Sequence, residues 1–529
     1  MVLAALVVAA VVAVDPVGLA PFGPLRWALV PTLVLAALAT TTHVRVPRAI
    51  AIGWALFLAL VAVAAVRGLD PLYAWIGTPE RRFGALTWLL CAVAFAAGTG
   101  ERRRALLTGA AAVACGIAGV WACFELVGID PVDVIGTGDR PIGPLGSSAY
   151  LGAAMCLLVP VAIARHERWA YACAALGGVA LLASGARAAW LGAVVAALWW
   201  AWRQPSHRRY VVAAVAVLAV TAIATGRGPD LLTDERGGIA GRLDEWRVAA
   251  GVIADHPLTG TGPEGYRIAF GSAVDDAYEI EHGRDPLPDR AHSAPLDVAA
   301  TIGIPGLVAY AALVVLVARR ARRDLVAVGV LAYAVQSLAL FPLAELDPVA
   351  WALAGTLVVA ERPTTRVRIP VRAIAGVAAA ITLVVGGLDV LADRAARNGD
   401  GARAADLRPD ALRYHLVEAA EHRVVGDEAG ALAALDRALD VSPDDPVVRS
   451  ERADVLLELD PARALDALED LVDDDPRNAE VLLRLGLARL RNGDRDGARA
   501  AWLDAERLAS DSTAATENLA RLDFEEDGT

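Results

Sequence analysis

The sequence predicts an all-α protein: a polytopic transmembrane helix bundle of about 12–13 spans with one long extracytoplasmic loop, followed by an α-solenoid of stacked helix pairs. Three observations predict it. Of the 529 residues, 56 % are hydrophobic and the mean hydropathy is +0.47, an average that water-soluble domains do not normally reach. Apolar runs near the roughly 17–25 residues that cross a bilayer core recur from the N-terminus to residue 391. Beyond Val390 the composition turns polar, acidic and helix-favouring, and small residues recur at a fixed period. The chain therefore divides into a membrane domain, 1–391, with its long loop at 226–294, and a C-terminal domain, 392–529.

In chain order, the apolar runs place spans near 2–20, 25–41, 48–66, 83–98, 104–127, 146–164, 169–184, 187–202, 209–225, 295–318, 325–341, 345–361 and 371–391. The first run has no basic segment ahead of it and no A-x-A site leading into a polar domain, so it reads as a span and not as a cleaved signal. Every basic side chain is Arg. Alternate connections are Arg-rich: "HVRVPR", "GERRRA", "RHERW", "RQPSHRR", "RRARRD" and "ERPTTRVRIPVR". By the positive-inside rule these six face the cytoplasm, as does the N-terminus. The long loop and the C-terminal domain then lie outside. The adjacent Arg81 and Arg82 in "GTPERRFG" are the exception on the outer side.

Cys91, Cys115, Cys123, Cys156 and Cys173 all lie inside apolar runs. That placement argues against a disulfide framework or a thiolate metal site. The net charge is −12, and an acidic C-terminal domain argues against nucleic acid or anionic lipid as its ligand.

In the C-terminal domain "GALAALDRAL", "RALDALEDLV" and "GARAAWLDAERL" align, with Ala431, Ala464 and Ala498 spaced 33 and 34 apart. Pro443 and Pro476 recur 33 apart. This period resembles the tetratricopeptide repeat, a helix–turn–helix array. The resemblance implies about three repeats and a capping helix, serving either as a docking surface for a partner or glycan or as a spacer.

Four stretches on the predicted outer side carry chemistry. "RPIGPLGSSAYLG" holds Arg140, and "SGARAAWLG" is a tight turn with Arg187. "GRLDEWRVAAGVIADHPLTGTGPEGY" holds Arg242, Trp246 and Arg247 at helical spacing, then Gly260, Gly262 and Gly265 in a broken turn. "RAHSAPLDVAATIGIPGL" holds His292. Taken alone, Arg187 reads equally as a side chain snorkelling to water, and His292 as an ordinary interfacial histidine. Together they suit a diphosphate at the membrane surface, because guanidinium groups bind phosphate oxygens bidentately. A neutral imidazole can take a proton from an attacking hydroxyl. "GTGPEG" lacks the Gly-Lys-Ser/Thr of a nucleotide-binding loop. His256, His282, His292 and Asp289 share the long loop, but their spacing matches no metal signature.

In this order the four stretches resemble the O-antigen ligase and polymerase superfamily, over roughly residues 40–360. Arg187 falls on the arginine of its "S-R-G-A/S-W-L-G" turn. Arg242, Trp246, Pro257, Leu258, Gly260, Gly262 and Gly265 fit its "G-R-x-x-x-W…P-L-x-G-x-G-x-G" in register, and His292, Leu296, Gly303 and Gly306 fit its histidine motif. Ser293, Thr301 and Ser147 or Ser148 depart from the pattern. The resemblance implies a metal-independent, inverting glycosyltransferase without a cofactor, acting on a polyprenyl-diphosphate-linked glycan in cell-surface polysaccharide assembly. His292, Arg187 and Arg242 are the expected catalytic groups. Arg140, Arg247, Arg81, Arg82, Trp246, Gly260 and Gly262 are expected to contact substrate. The acceptor is a glycan, a lipid or a protein, the last making it a protein O-oligosaccharyltransferase. A transporter is the reading from another class; it predicts ionisable residues at the middle of the spans, where this sequence has almost none.

Overall fold

The computed structural model describes residues 1–99, 101–132, 140–224, 239–284, 287–358, 365–509 and 513–527. The first part of the long loop, 225–238, lies outside the described residues. The N-terminal half begins with α1 (Val2–Val12) and α2 (Pro24–Ala39), then strand β1 (His43–Val44) and α3 (Arg48–Val66). It continues through α4 (Tyr73–Ile76), α5 (Ala85–Gly98), α6 (Glu101–Leu126), α7 (Ser148–Ile163), α8 (Arg168–Ser184), α9 (Arg187–Arg203) and α10 (Arg208–Ala224). After the long loop's helices α11 (Ile239–Asp255), α12 (Tyr266–Ala273) and α13 (Asp276–His282) come α14 (Ala294–Arg320), α15 (Leu325–Gln336), α16 (Asp347–Leu357), β2 (Thr365–Arg366) and α17 (Ile369–Arg397).

Four helices are long and apolar enough to cross a membrane: α3, residues 103–126 of α6, α14 and α17. They make this a multi-pass membrane protein. Among the described residues six further apolar helices are shorter, at 10–17 residues. Gly185, at φ +60°, splits α8 from α9. Gly303, at φ +79°, breaks α14 two residues before Pro305.

Helices distant in sequence pair closely: α2 with α17, α3 with α14, α5 with α16, α6 with α8, and both α7 and α9 with α15. Glycine permits these approaches. A Cβ on Gly98 would lie 2.1 Å from the Ala352 carbonyl oxygen, and one on Gly355 2.2 Å from that of Phe95. Gly192 and Gly329 stand in the same relation to Ala332 and Leu157. Small residues at such contacts let backbones meet where lipid gives no hydrophobic drive.

The connections gather at two ends of the bundle. At one end β1 and β2 pair antiparallel, His43 opposite Arg366, Arg104 meets Asp324 at 2.6 Å, and Arg165 donates to the Ala105 carbonyl. These are Arg-rich connections. At the other end Gly146 packs on Phe22, Leu69 N–H donates to the Thr261 carbonyl at 2.9 Å, and Arg81 grips Asp289.

The C-terminal part runs through α18 (Gly401–Leu407), α19 (Leu412–Val424), α20 (Glu428–Val441), α21 (Pro446–Leu459), α22 (Pro461–Asp474), α23 (Ala479–Arg491), α24 (Arg495–Leu508) and α25 (Thr513–Asp527). The expected tetratricopeptide-like α-solenoid is corrected here. In a solenoid each unit contacts only its neighbours. Here the long-range pairings make a compact globular packing, and the C-terminal helices are folded onto the end of the bundle that carries Leu69 and Arg81. Leu72, Tyr73 and Ile76 share one apolar cluster with Leu412, Leu435 and Val448. Arg267 bonds Asp70 at 2.5 Å and Asp445 at 3.2 Å, and Ser442 closes the group on Asp70 at 2.7 Å. Arg284 reaches Asp475 at 2.8 Å.

Candidate active site

The site sits where the kink of α14, the turn after α11 and the loop before α5 meet. Gly260 (φ +66°) and Gly262 (φ +81°) carry the turn. A Cβ on Gly260 would fall 2.4 Å from the Thr301 carbonyl carbon, and one on Gly262 2.4 Å from Gly68 Cα. Thr261 N–H donates to Ala300 O at 2.8 Å, and Ile304 N–H to Pro257 O at 2.9 Å. The two glycines expected to contact substrate thus meet the chain's own backbone, which fixes α11 against α14. Glu264 (φ +63°) locks the same turn. It is buried, accepts from Phe83 N–H at 3.1 Å and pairs with Arg290 at 2.6 Å.

His292 ends the loop that this clamp holds. Its backbone is left-handed, φ +48°. Its imidazole lies edge-on to Phe341, ring centroids 5.3 Å apart. Nε2 is 3.9 Å from Glu245 Oε1, and Nδ1 is buried with no hydrogen-bond partner. The other oxygen of Glu245 accepts from Arg242 Nη1 at 2.9 Å. Burial first, and then the Arg242 and Arg81 charges, push the imidazole down from its usual value to about 3, against the pull of Asp289. Burial also raises the Glu245 carboxyl, against Arg242. Around neutral pH the histidine is therefore uncharged.

Arg81 flanks the same group. Its Nη2 reaches Asp289 Oδ1 at 2.9 Å, its Nη1 donates to the Tyr150 hydroxyl at 2.6 Å, and its guanidinium lies 4.6 Å from the Phe341 ring centroid. Burial works to raise Asp289, yet the Arg81 hydrogen bonds and charge hold its carboxyl below the usual range.

The structure thus brings together His292, Arg242 and Arg81. Arg187 opens the first turn of α9 and is half-buried. The residue before it packs on α7: a Cβ on Gly152 would lie 2.4 Å from Ala186 Cβ. Gly152 is two residues from Tyr150, to which Arg81 is bonded. Trp246 is half-buried with its indole N–H lacking a partner. Arg247 is exposed and bonds Asp244 at 2.5 Å, and Arg140 is exposed. Arg82 turns away from the histidine to Asp389, at 2.8 Å.

Of the loop groups weighed for a metal, His282 lies with Asp244 and Glu281, their ligand atoms within 4.8 Å of one another. Arg247 already occupies Asp244 from one side.

Sequence reasoning left Glu245, Tyr150 and Phe341 unassigned. Glu245 carries a local signal, three residues after Arg242 on one helix face. Tyr150 and Phe341 carry none, since 191 residues separate them and only folding brings their rings to 6.2 Å. Residues 172–311, from α8 into α14, match the family model described as O-antigen ligase. That stretch includes Arg187, Arg242 and His292, and the match supports membership in that ligase family. No curated protein matches the chain.

Proposed function

We propose that the chain belongs to the O-antigen ligase family and transfers a glycan from a polyprenyl-diphosphate carrier to a hydroxyl acceptor in cell-surface polysaccharide assembly. The Arg-rich end of the bundle faces the cytoplasm, and the His292 end faces outside, where a lipid-anchored donor meets a water-borne acceptor. One observation carries the reading: an uncharged imidazole with an unpaired Nδ1, flanked by the guanidinium groups of Arg242 and Arg81.

In the reaction the acceptor oxygen attacks the anomeric carbon, the bond from that carbon to the diphosphate oxygen breaks, and the configuration inverts. His292 takes the hydroxyl proton. Arg242 and Arg187 meet the diphosphate and the charge it gains on leaving, and the exposed Arg247 and Arg140 extend that positive surface. Arg81, engaged with Asp289, positions the loop that holds His292. Fixed guanidinium charge does the work a divalent cation does elsewhere, so EDTA leaves activity intact.

Donor binding also activates the base. Burial first, and then two arginine charges, depress the imidazole; a diphosphate placed among the arginines offsets their part and raises its proton affinity. The test is reconstitution of the membrane protein with a polyprenyl-diphosphate glycan and candidate acceptors. His292→Ala abolishes transfer; full transfer by this variant overturns the general-base role, and no transfer by the parent protein overturns the reading.

A further inference from the structure

A cavity of about 490 Å³ opens beside the site, within the range of roughly 300–1,000 Å³ of small-molecule pockets. Arg81, Tyr150 and Phe341 belong both to its wall and to the surroundings of His292. Two carboxylates face it. Glu345 is 7 % exposed and makes no hydrogen bond or ion pair with another described residue. Glu80 presents its surface to the cavity and is likewise unpaired among the described residues. Arg26, on the same wall, gives its hydrogen bonds to the carbonyls of Phe22, Ala13 and Pro144. Arg413 gives its own to Asp393 at 3.0 Å. Ionised carboxylates only accept hydrogen bonds, so an occupant that engages them brings donors.

The cavity also has an aromatic floor. Trp27 is half-buried and fixed from behind: a Cβ on Gly23 would lie 2.9 Å from its ring, and the Arg82 guanidinium stands 5.5 Å from its centroid. A flat aromatic plate that shares a cavity with two carboxylates suits a molecule with an apolar face and a rim of hydroxyl donors. We propose that this cavity is a saccharide subsite that takes an uncharged pyranose residue, its hydroxyls donating to Glu80 and Glu345 and its C–H face lying on Trp27. The carboxylates repel an acidic sugar, and of the arginines on the wall Arg81 is engaged by Asp289, Arg413 by Asp393 and Arg26 by backbone carbonyls. That the sugar belongs to the acceptor rests on the transferase reading; that it binds does not. The C-terminal helix α19 supplies Arg413 and Val417 to the wall, so the appended segment takes part in choosing the sugar.

The test uses the full chain in lipid nanodiscs and saturation-transfer NMR with methyl glucoside, methyl galactoside, methyl mannoside and the acidic methyl glucuronide. At least one neutral pyranoside binds, and the glucuronide does not. Glu345→Gln, Glu80→Gln and Trp27→Ala each weaken binding roughly tenfold or more, and Trp27→Phe restores most of it. Thermal melting of each variant separates lost binding from lost fold, and Glu80→Gln alters a side chain already open to the cavity. Failure of every neutral sugar to bind, preference for the glucuronide, or unchanged binding in folded Glu80→Gln overturns the proposal. His292→Asn loses transfer and keeps sugar binding. If the parent protein transfers no glycan but binds the sugar, the transferase reading falls and the saccharide site stands.

Discussion

His292 carries two costs at once: a left-handed backbone, which costs a side chain about 1–2 kcal/mol, and a buried nitrogen with no partner. Such strain persists only where surrounding structure enforces it. His292→Asn keeps a residue that tolerates this backbone while removing the base. Transfer is expected to fall by about 100-fold or more with the melting temperature little changed; retained transfer counts against the assigned role. The pH dependence has a definite sign. The folded imidazole titrates at about 3, below its ordinary 6.5 in the unfolded chain, so between these values the unfolded chain binds a proton that the folded one does not. Stability is therefore lost as pH falls below about 6.5 and is unaffected by this group above it. Melting curves from pH 7 to pH 4.5 should fall less steeply for His292→Asn than for the parent; parallel curves contradict the buried neutral histidine. His292 and Arg242 were legible in the sequence because each sits in a short ordered motif. Tyr150 and Phe341 were not legible as their neighbours, because they lie 191 residues apart and only folding brings their rings together.

At the scale of the element, glycine decides where helices and turns meet. Gly262→Ala places a Cβ 2.4 Å from Gly68 Cα at φ +81°, and both backbones would have to move. Loss of folded protein on size-exclusion chromatography is the expected outcome. Gly178→Ala is the control: nothing lies within 4 Å of its Cβ position on α8, and stability should hold or rise by up to about 1 kcal/mol. If both behave alike, the clamp between Gly68 and Gly262 is not what holds α11. The 33–34-residue period marked real, equivalent helix starts. Asp427, Asp460 and Asp494 each cap a helix, and Ala431, Ala464 and Ala498 are each buried four residues later. What the period could not reveal was where those helices dock, because the contacts of Asp445 with Arg267 and of Asp475 with Arg284 join segments far apart in the chain.

For the whole molecule, the group formed by Arg267, Asp70, Ser442 and Asp445 fastens the C-terminal helices to the membrane part. Asp70→Ala removes one partner of a buried guanidinium, a change that costs about 3–5 kcal/mol. Limited proteolysis of the purified protein should then release a C-terminal fragment; an unchanged digestion pattern would mean that the apolar cluster around Tyr73 suffices. Orientation is tested with single cysteines introduced into a cysteine-free background. A membrane-impermeant maleimide applied to intact cells should label Glu281→Cys and spare Arg320→Cys, and the reverse pattern inverts the proposed topology.

The pairing of α2 with α17 sets a schedule for the protein's birth. Thr32 and Thr382 meet at 3.0 Å although 350 residues separate them. At about 5–20 residues per second, roughly 20–70 s pass between synthesis of the first partner and arrival of the second. Throughout that interval Thr32 can bond only within its own helix, to the Ala28 carbonyl, and the face that Gly386 will press against Ala28 stands open. The bundle is thus closed by its last span. A chain halted in the long loop has all its early helices but lacks the one that seals them, and it depends on the insertion machinery or a chaperone until translation resumes.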